Sequence, residues 1–426
     1  MKQLDVYCGP ALAGVLRERE DGSLSFAYSA RWLQSDGATP LAPALALTEG
    51  EQTGDAVLAY FDNLLPEGGV RDFVARAEHI SPSNVFGLLE RFGGDTAGAL
   101  SLLPQGERPA GAARYRPVDA ATIRDYFAHS HGIPLGPQGA QVRMSLSGAQ
   151  DKIAVFIGGD GRMALPLGNA PTSHIIKPTM GYRPDLPQTA INEALVMRLA
   201  RAAGLDVPDA RYAPELDAVV IARYDRAVDA RGRLRRLHQN DLCQVMNVPS
   251  GRKYESEGGP PLKACFAAVA RHSSQPALDK KRLIEWVIFN LAVGNMDSHA
   301  KNLSLVAEDA AVRLAPFYDL VCTTVYPRLG ARFAFKVGGE NRPGWIAARH
   351  WERFADEIGA RPQLVQKIRL AMSERIVRAL PAAAAALRES VPHAEGLSMI
   401  DRVEKTVRRL AGRLQAGAAA SLKSAV

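Results

Sequence analysis

The chain has 426 residues, a formal net charge of +7 and a pI of about 9.2. This length exceeds what one hydrophobic core usually serves, so we expect two or three structural units. Hydrophobic residues make up 47% of the chain, but no apolar run is long enough to span a membrane. The N-terminus lacks the apolar core of a signal peptide. We therefore expect a cytoplasmic globular protein with no membrane partner.

The cysteines indicate the redox state of the thiols, and the positive charge indicates the kind of partner. Cys8, Cys243, Cys265 and Cys322 show no paired spacing, which is typical of reduced, packed thiols. The net positive charge favours an anionic partner. Lys and Arg concentrate in residues 223–236, 361–378 and 397–426. Each concentration is interpreted either as a solvated face or as a contact surface for DNA or an acidic protein.

The first hundred residues predict a small α+β unit. Short strands are expected at 4–7, 14–16 and 24–28, and amphipathic helices at 55–65, 70–77 and 84–92. A passage rich in Pro and Gly, 104–117, marks a boundary. Beyond it we expect a helix at 120–129 and strands at 141–146, 152–157, 173–177 and 218–222, interrupted by a helix at 189–203.

The remainder is predicted to be mostly helical. Helices are expected at 263–271, 280–293, 351–358, 362–387 and 397–414, with a strand pair at 303–306 and 312–314. A small sheet with one helix followed by a helical region is typical of two-lobed kinase-like folds. The predicted regions are an N-terminal subdomain (1–105), a kinase N-lobe with a phosphate loop (106–225) and a helical C-lobe with a catalytic loop (226–426).

A polar loop after the helix at 280–293 suggests phosphoryl transfer. Asp297 and Asn302 are five residues apart, the spacing of a kinase catalytic loop. Asp319 follows Asn302 by 17 residues, where kinases carry a second metal ligand. Carboxylate and amide oxygens are the ligands that Mg²⁺ prefers. Taken alone, each pattern is more often a polar turn or a strand end.

Two further segments match the needs of a nucleotide site. Lys177 closes an apolar strand, from which a lysine can bind nucleotide phosphates, and Glu193 lies on the next predicted helix, where it can pair with Lys177. Residues 144–152 form a strand–turn–strand pattern with small residues at the turn, and backbone N–H groups there can cradle phosphates. The alternative for these residues is an ordinary surface position.

In this order, the motifs resemble those of the HipA family of bacterial type II toxin serine/threonine-protein kinases. The segments that carry the resemblance are Ser145-Leu146-Ser147-Gly148-Ala149-Gln150-Asp151-Lys152, Ser173-His174-Ile175-Ile176-Lys177 and Gly294-Asn295-Met296-Asp297-Ser298-His299-Ala300-Lys301-Asn302. Residues 60–66, 242–244 and 253–260 also resemble segments of that family. The resemblance implies an α+β, bilobal protein-kinase-like (HipA-like) fold with a small N-terminal α+β subdomain and a mostly helical C-terminal lobe.

The resemblance also implies roles for individual residues. Asp297 would be the catalytic base, or at least the carboxylate that orients the acceptor hydroxyl. Asn302 and Asp319 would hold Mg²⁺. Ser145 would be autophosphorylated, a modification that switches activity off, and Glu193 would form the ion pair with the phosphate-binding lysine. The residues implied in ATP binding are Ser147, Gly148, Ala149, Gln150, Asp151, Lys152, Lys177, Ala222, Arg223, Tyr224, His299, Lys301, Asn302, Tyr318 and Asp319.

The implied function is that of a toxin that phosphorylates a translation component such as an aminoacyl-tRNA synthetase. Its implied partners are a HipB-type helix-turn-helix antitoxin and, through that complex, operator DNA. Two alternatives stay open at this point. The chain is compatible with a catalytically minor co-repressor in a DNA-bound complex, and the pattern of Asp297, His299 and Asn302 also resembles that of lipid and small-molecule kinases.

Overall fold

The computed structural model describes residues 2–109, 112–130, 150–181 and 183–423. The elements of the first part are β1 (Lys2–Cys8), β2 (Ala11–Glu18), β3 (Leu24–Tyr28), α1 (Ala30–Leu33), β4 (Glu51–Thr53), α2 (Asp55–Asp62), α3 (Gly68–Ala77), α4 (Val85–Phe92), β5 (Leu100–Pro104), β6 (Tyr115–Pro117) and α5 (Ala120–Ser130). Those of the middle part are β7 (Ile153–Ile157), β8 (Met163–Pro166), β9 (His174–Pro178), α6 (Thr189–Ala202), β10 (Ala210–Ala213), β11 (Ala218–Ala222), β12 (Arg226–Val228), β13 (Leu234–Arg236), β14 (His238–Asp241) and α7 (Leu242–Val245). Those of the last part are α8 (Leu262–His272), α9 (Pro276–Val293), β15 (Ser304–Glu308), β16 (Ala311–Leu314), α10 (Ala348–Glu357), α11 (Pro362–Arg388) and α12 (Ala394–Lys423).

The chain forms two compact units, each built from separated segments. Unit 1 comprises Met1–Lys177, Ala222–Gly251 and Val306–Ala310, and unit 2 comprises Pro178–Ile221, Arg252–Leu305 and Ala311–Val426. Among the helices in the described ranges, none combines the length and the apolar character needed to cross a bilayer.

The N-terminal part of unit 1 is an antiparallel sheet with the strand order β4-β3-β2-β1-β5. Leu4 pairs with Leu16, and Leu16 with Phe26, so these three side chains form one row across the sheet. All three are fully buried, in one core with apolar residues of α2 and α4. Gly14 is required in β2, because a Cβ there would lie 2.3 Å from the carbonyl oxygen of Ala27.

A second set of antiparallel strands in unit 1 has the order β9-β7-β8-β6. Ile153 pairs with Ile176, and Ala154 with Ile175. The side chains of Ile153, Ala154 and Ile176 are inaccessible to solvent. Neighbouring residues of a strand point to opposite faces, so β7 is covered on both. This burial accounts for the apolar run that predicted the strand, and it fixes β9 up to Lys177.

Unit 2 is built on packed helices. The long helix α11 packs against α6, α9 and α12, and α8 packs against α9. In α9 the side chains of Leu283, Trp286 and Phe289 are fully buried, as expected for a helix surrounded by others. Arg375 of α11 donates to Glu285 of α9 across 2.8 Å. The core of this unit therefore holds α9 rigidly along its length.

The helices were predicted better than the strands. Every helix predicted within the described ranges is present, although α12 begins earlier and ends later than expected. The strands that were missed have three to five residues each: β4, β5, β6, β8, β10, β12, β13 and β14. Runs this short hold at most two full repeats of an alternating pattern, which is a weak signal. The strand predicted at 141–146 lies outside the described residues.

Candidate active site

The loop that follows α9 is fixed by its first residue. Gly294 ends the helix in the left-handed conformation, with φ of +72°, and its N–H donates to the carbonyl of Asn290. A Cβ at Gly294 would lie 2.6 Å from Oγ1 of Thr324. The hydroxyls of Thr323 and Thr324 both donate to the carbonyl of Gly294, at 3.0 and 2.8 Å. The sequence Gly294–Asn302 therefore leaves α9 in a single defined direction.

The same loop is closed on itself by Asn302. The side-chain Oδ1 of Asn302 accepts from the N–H of His299 at 2.9 Å, and the N–H of Asn302 donates to the carbonyl of His299 at 2.9 Å. His299, Lys301 and Asn302 are each 6% exposed, whereas Asp297 is exposed. Asp297 is thus an accessible carboxylate on a loop whose remaining polar side chains are packed inward.

Asp319 lies beside this loop. Its φ of +53° is in the left-handed region, which aspartate tolerates better than most residues. Phe317 and Leu320, which flank it, are 2% and 1% exposed, so the surrounding packing holds this conformation. Nδ2 of Asn302 donates to Oδ2 of Asp319 at 3.2 Å. The structure thus brings the two predicted metal ligands together.

Tyr318 ties the Asp319 segment to the loop from the other side. Its hydroxyl donates to the carbonyl of Lys301 at 2.6 Å and shares a hydrogen bond with Ser304 at 2.8 Å. The structure therefore gives Tyr318 a structural role, and its predicted contact with the nucleotide stays a prediction. Asn295 adds a further link, because its Nδ2 donates to the carbonyl of Asp319 at 3.2 Å.

Helix α6 is fixed to the chain that follows Asp319. The side chain of Asn192 accepts from the N–H of Cys322 at 2.9 Å and donates to the carbonyl of the same residue at 3.0 Å. Glu193, the next residue, is on this helix as predicted and is 4% exposed. Its ion pair with Lys177 stays a prediction.

Asn302 and Asp319 satisfy the chemistry that a Mg²⁺ site demands. Mg²⁺ takes hard oxygen ligands, and the pair offers one carboxylate and one amide oxygen. The amide oxygen of Asn302 accepts one hydrogen bond from His299, which leaves its second lone pair for a cation. The donor set therefore fits a shared divalent ion, and the role of these residues as its ligands stays a prediction.

The predicted nucleotide-binding residues of unit 1 are described in part. Ser145, Ser147, Gly148 and Ala149 lie outside the described residues. Gln150, Asp151 and Lys152 lead directly into β7, and Asp151 is 4% exposed. Lys177 is on β9 and is 5% exposed, a degree of burial that lysine seldom has on an ordinary surface.

Residues 222–224, which were also predicted to bind the nucleotide, belong to unit 1. Ala222 is the last residue of β11. The guanidinium of Arg223 is buried and donates to Asp225, Asp95 and Thr172. The hydroxyl of Tyr224 donates to the side chain of Gln239. Any contact of Arg223 with a nucleotide would therefore have to come from its backbone, because its side chain is engaged elsewhere.

Arg223 belongs to a buried ion cluster that composition did not predict. Asp95 accepts from Arg226 at 2.8 Å, from Arg236 at 2.9 Å and from Arg223 at 3.2 Å. Burial alone raises the pKa of Asp95, but the three guanidinium groups outweigh it and hold the pKa well below its ordinary value. Three of the six arginines in 223–236 are thus buried in unit 1. For these three, both interpretations of the segment, solvated face and contact surface, were wrong.

One residue that contacts the candidate site was not predicted to belong to it. The hydroxyl of Tyr254 donates to Oδ1 of Asp297 at 2.5 Å. Its ring also meets that of His299 edge-to-face, with the centroids 5.1 Å apart. Tyr254 lies more than 40 positions before Asp297 in the chain. Only its place in segment 253–260, which resembles a family segment, pointed to it.

The comparisons with known proteins agree with this geometry. The family model of the HipA-like C-terminal domain matches residues 144–380, and that of the HipA N-terminal domain matches residues 4–103. The chain belongs to the HipA family. It is 38% identical over 374 residues to Y4mE of Sinorhizobium fredii, a protein named as a kinase, with 86% of this chain and 88% of that protein covered. The predicted assignment to this family is confirmed.

HipA of Shewanella oneidensis extends the comparison in both sequence and structure. The serine/threonine-protein kinase toxin HipA is 27% identical over 397 residues, covering 90% of this chain and 88% of the toxin. The structure of HipA from strain MR-1, solved with HipB and operator DNA, superposes with a TM-score of 0.84 at 24% identity, covering 98% of this chain and 99% of that one. The predicted α+β, HipA-like fold is confirmed, and the chain is a kinase of the HipA type.

Proposed function

We propose that this HipA-family kinase is the toxin of a type II toxin–antitoxin pair. It transfers the γ-phosphoryl group of ATP to a serine or threonine of a cytoplasmic translation component, such as an aminoacyl-tRNA synthetase. The observation that carries the proposal is the cluster of Asp297, Asn302 and Asp319 in unit 2. The first two are on one loop, and the second donates to the third at 3.2 Å. Phosphoryl transfer requires this combination of an accessible carboxylate and a metal-binding pair.

Each residue has a defined part in the transfer. Asp297 orients the acceptor hydroxyl and takes its proton while the hydroxyl oxygen bonds to the γ-phosphorus and the bond to the leaving ADP oxygen breaks. Asn302 and Asp319 would hold Mg²⁺, which would neutralise charge on the triphosphate. Lys177 binds the nucleotide phosphates, and Glu193 orients Lys177. Residues 147–152 cover the phosphates, and Ala222 with its neighbours contacts the adenine.

We further propose that Ser145 is the site of self-phosphorylation. A phosphate adds a charge of about −1.5 to −2 and three acceptor oxygens. Next to residues 147–152, which must fold over ATP, that charge holds the loop out of place and switches the kinase off. A chain phosphorylated on Ser145 would therefore bind ATP more weakly than the unmodified chain.

The proposed partner is a HipB-type helix-turn-helix antitoxin, through which the kinase reaches operator DNA. The proposal is supported by the similarity to the S. oneidensis HipA, whose structure was solved with HipB and operator DNA. It is also supported by α12, on which Arg402, Lys405, Arg408, Arg409 and Arg413 are exposed. Contacts of such residues with DNA phosphates would make the affinity of the complex for DNA fall steeply with salt.

The same basic face favours a second candidate, a co-repressor whose catalysis is of minor importance. A growth assay combined with a promoter reporter separates the two, with the chain expressed from an inducible promoter beside its antitoxin. For a toxin kinase we expect Asp297→Asn to abolish growth arrest and to leave repression intact. Growth arrest that persists in Asp297→Asn would contradict the proposed toxicity by phosphorylation. A parent chain that represses without ever slowing growth would favour the co-repressor.

A further inference from the structure

The hydrogen bond between Tyr254 and Asp297 gives the catalytic loop a partner from outside its own segment. The hydroxyl of Tyr254 donates to Oδ1 of Asp297 at 2.5 Å, a short distance typical of a hydroxyl that donates to an ionised carboxylate. Asp297 is exposed, and this donor from another segment of the chain restricts how its carboxylate can rotate.

Tyr254 is itself held in place by its backbone. Its carbonyl accepts from the N–H of Glu257 at 3.0 Å and from the N–H of Gly259 at 2.8 Å. Gly258 takes the left-handed conformation with φ of +84°. A Cβ at Gly259 would lie 2.2 Å from the carbonyl oxygen of Arg252, so this turn requires glycine. The segment 252–259 is thus a tight turn with one backbone geometry.

Contacts on both sides of Tyr254 fix the turn and the ring. Next along the chain, the carboxylate of Glu255 accepts from the backbone N–H of Lys336 at 2.8 Å. The ring of Tyr254 meets His299 edge-to-face, with an angle of 85° between the planes. The ammonium of Lys253 lies 5.4 Å from the centre of the same ring. A ring constrained in this way presents its hydroxyl in one direction, toward Asp297.

We propose that Tyr254 is a positioning residue for the phosphoryl transfer: it holds Oδ1 of Asp297 so that the other carboxylate oxygen, Oδ2, faces the acceptor hydroxyl. This inference rests on the role of Asp297 given under the proposed function. Tyr254 contacts neither the transferred phosphoryl group nor the nucleotide in this role. Loss of the Tyr254 hydroxyl therefore lowers the turnover of bound ATP and leaves ATP binding unchanged.

The test is the substitution Tyr254→Phe in the full chain, which removes one hydroxyl and keeps the ring. The readouts are the initial rates of phosphate incorporation into the chain and of ATP hydrolysis, measured over a range of Mg²⁺-ATP concentrations. Loss of a hydrogen bond to a charged group changes a rate or an equilibrium constant by about ten-fold or more. We therefore expect kcat to fall by about ten-fold. We expect KM for ATP and the melting temperature to stay as in the parent chain.

A matched control is available in the same unit. The hydroxyl of Tyr212 donates to Oδ1 of Asp217 at 2.9 Å, so Tyr212→Phe breaks the same kind of bond at a position with no assigned part in catalysis. We expect Tyr212→Phe to leave kcat unchanged. An equal fall of kcat in the two variants would overturn the proposal, because it would reflect a general loss of order.

The other results also decide the question. An unchanged kcat in Tyr254→Phe would make the hydrogen bond an incidental surface contact. A raised kcat would mean that the Tyr254 hydroxyl competes with the acceptor, which also overturns positioning. If the parent incorporates no phosphate but hydrolyses ATP, the proposed self-phosphorylation of Ser145 fails while the hydrolysis rates still test Tyr254. A parent with neither activity would refute both proposals.

Discussion

Nδ2 of Asn302 donates a hydrogen bond to Oδ2 of Asp319 across 3.2 Å, although 17 residues separate the two in the chain. The contact depends on two backbone features. Asn302 closes its own loop through His299, and Asp319 is held in a left-handed conformation between two buried apolar residues. The two side chains are therefore already together in the folded chain, which would lower the cost of binding the proposed divalent cation.

The first prediction concerns the charge of that pair. Asp319→Asn keeps the side-chain shape and tolerates the left-handed backbone, but it removes the carboxylate of the proposed Mg²⁺ site. We expect the rate of ATP turnover to fall by about a hundred-fold or more, and a higher Mg²⁺ concentration to be needed for half-maximal rate. Asp309→Asn is the matched control, since Asp309 also has a positive φ, of +51°, and has no assigned role. Equal activity in the two variants would remove Asp319 from the metal site.

The second prediction concerns the exit from α9. Gly294→Ala places a methyl group 2.6 Å from Oγ1 of Thr324 at a residue with φ of +72°, so both strain and a steric clash are expected. We expect a loss of about 2–4 kcal/mol in the free energy of unfolding and a marked loss of ATP turnover. Chemical denaturation and the hydrolysis rate measure the two effects.

Gly359 is the control for this substitution. Its φ is +63°, but a Cβ there would meet nothing within 4 Å. Gly359→Ala therefore carries the backbone strain of about 1 kcal/mol without the clash, and turnover should be preserved. If the two variants lose stability equally, Thr324 does not restrict the loop.

The third prediction concerns the ion cluster of unit 1. Asp95 is 1% exposed and pairs with three guanidinium groups. Asp95→Asn removes the negative charge that these three groups share. Removal of one partner from a buried ion pair costs about 3–5 kcal/mol. We expect a loss of that size in the free energy of unfolding, measured by urea denaturation. Asp229→Asn, which affects a surface pair with Arg233, should cost less than about 1 kcal/mol, and a similar cost in both would contradict the cluster.

The fourth prediction is a pH dependence. The side chain of Asp279 is inaccessible to solvent, and burial raises its pKa. Hydrogen bonds from Arg313, Ser273 and the N–H of Leu314 more than offset the effect of burial and lower the pKa from 3.8 to about 2. Because the folded pKa lies below the unfolded one, this stabilisation is present above about pH 5 and is lost as the pH falls through 2.

Asp279→Asn tests this dependence. A shift of nearly two pKa units corresponds to about 2–3 kcal/mol, so the variant should be less stable than the parent by that amount at pH 7. The difference should shrink as the pH falls from 5 toward 2. The exposed Asp72 is the control, and Asp72→Asn should change the free energy of unfolding by less than about 0.5 kcal/mol. A difference between parent and Asp279→Asn that does not vary with pH would contradict this account.

The sequence predicted the parts of the molecule whose pattern is local. The apolar spacing of α9 and α11 identified both helices, because a buried helix repeats its contacts every three to four residues. The five-residue spacing of Asp297 and Asn302 predicted that one loop carries both side chains, as the structure has it, and the catalytic role of that loop stays a prediction. The pairing of Asn302 with Asp319 was inferred only because kinases share that spacing.

What the sequence did not reveal depends on contacts between distant segments. Arg223, Arg226 and Arg236 look like surface charge in a basic segment, and only the fold brings Asp95 among them. Tyr254 likewise meets Asp297 through a turn whose geometry comes from Gly258 and Gly259. Neither contact leaves a periodic pattern in the chain, so residue-by-residue reasoning had no signal from which to predict it.

The most direct measurement is peptide mass spectrometry of the purified chain after incubation with Mg²⁺-ATP, beside an Asp297→Asn variant. Both proteins are first confirmed as folded and as able to bind ATP. We predict one added phosphate on Ser145 in the parent and none in the variant, because Asp297 orients the acceptor and takes its proton. Phosphate on Ser145 at the same rate in both proteins, or in neither, would contradict the account of Asp297 as the catalytic residue of a self-phosphorylating kinase.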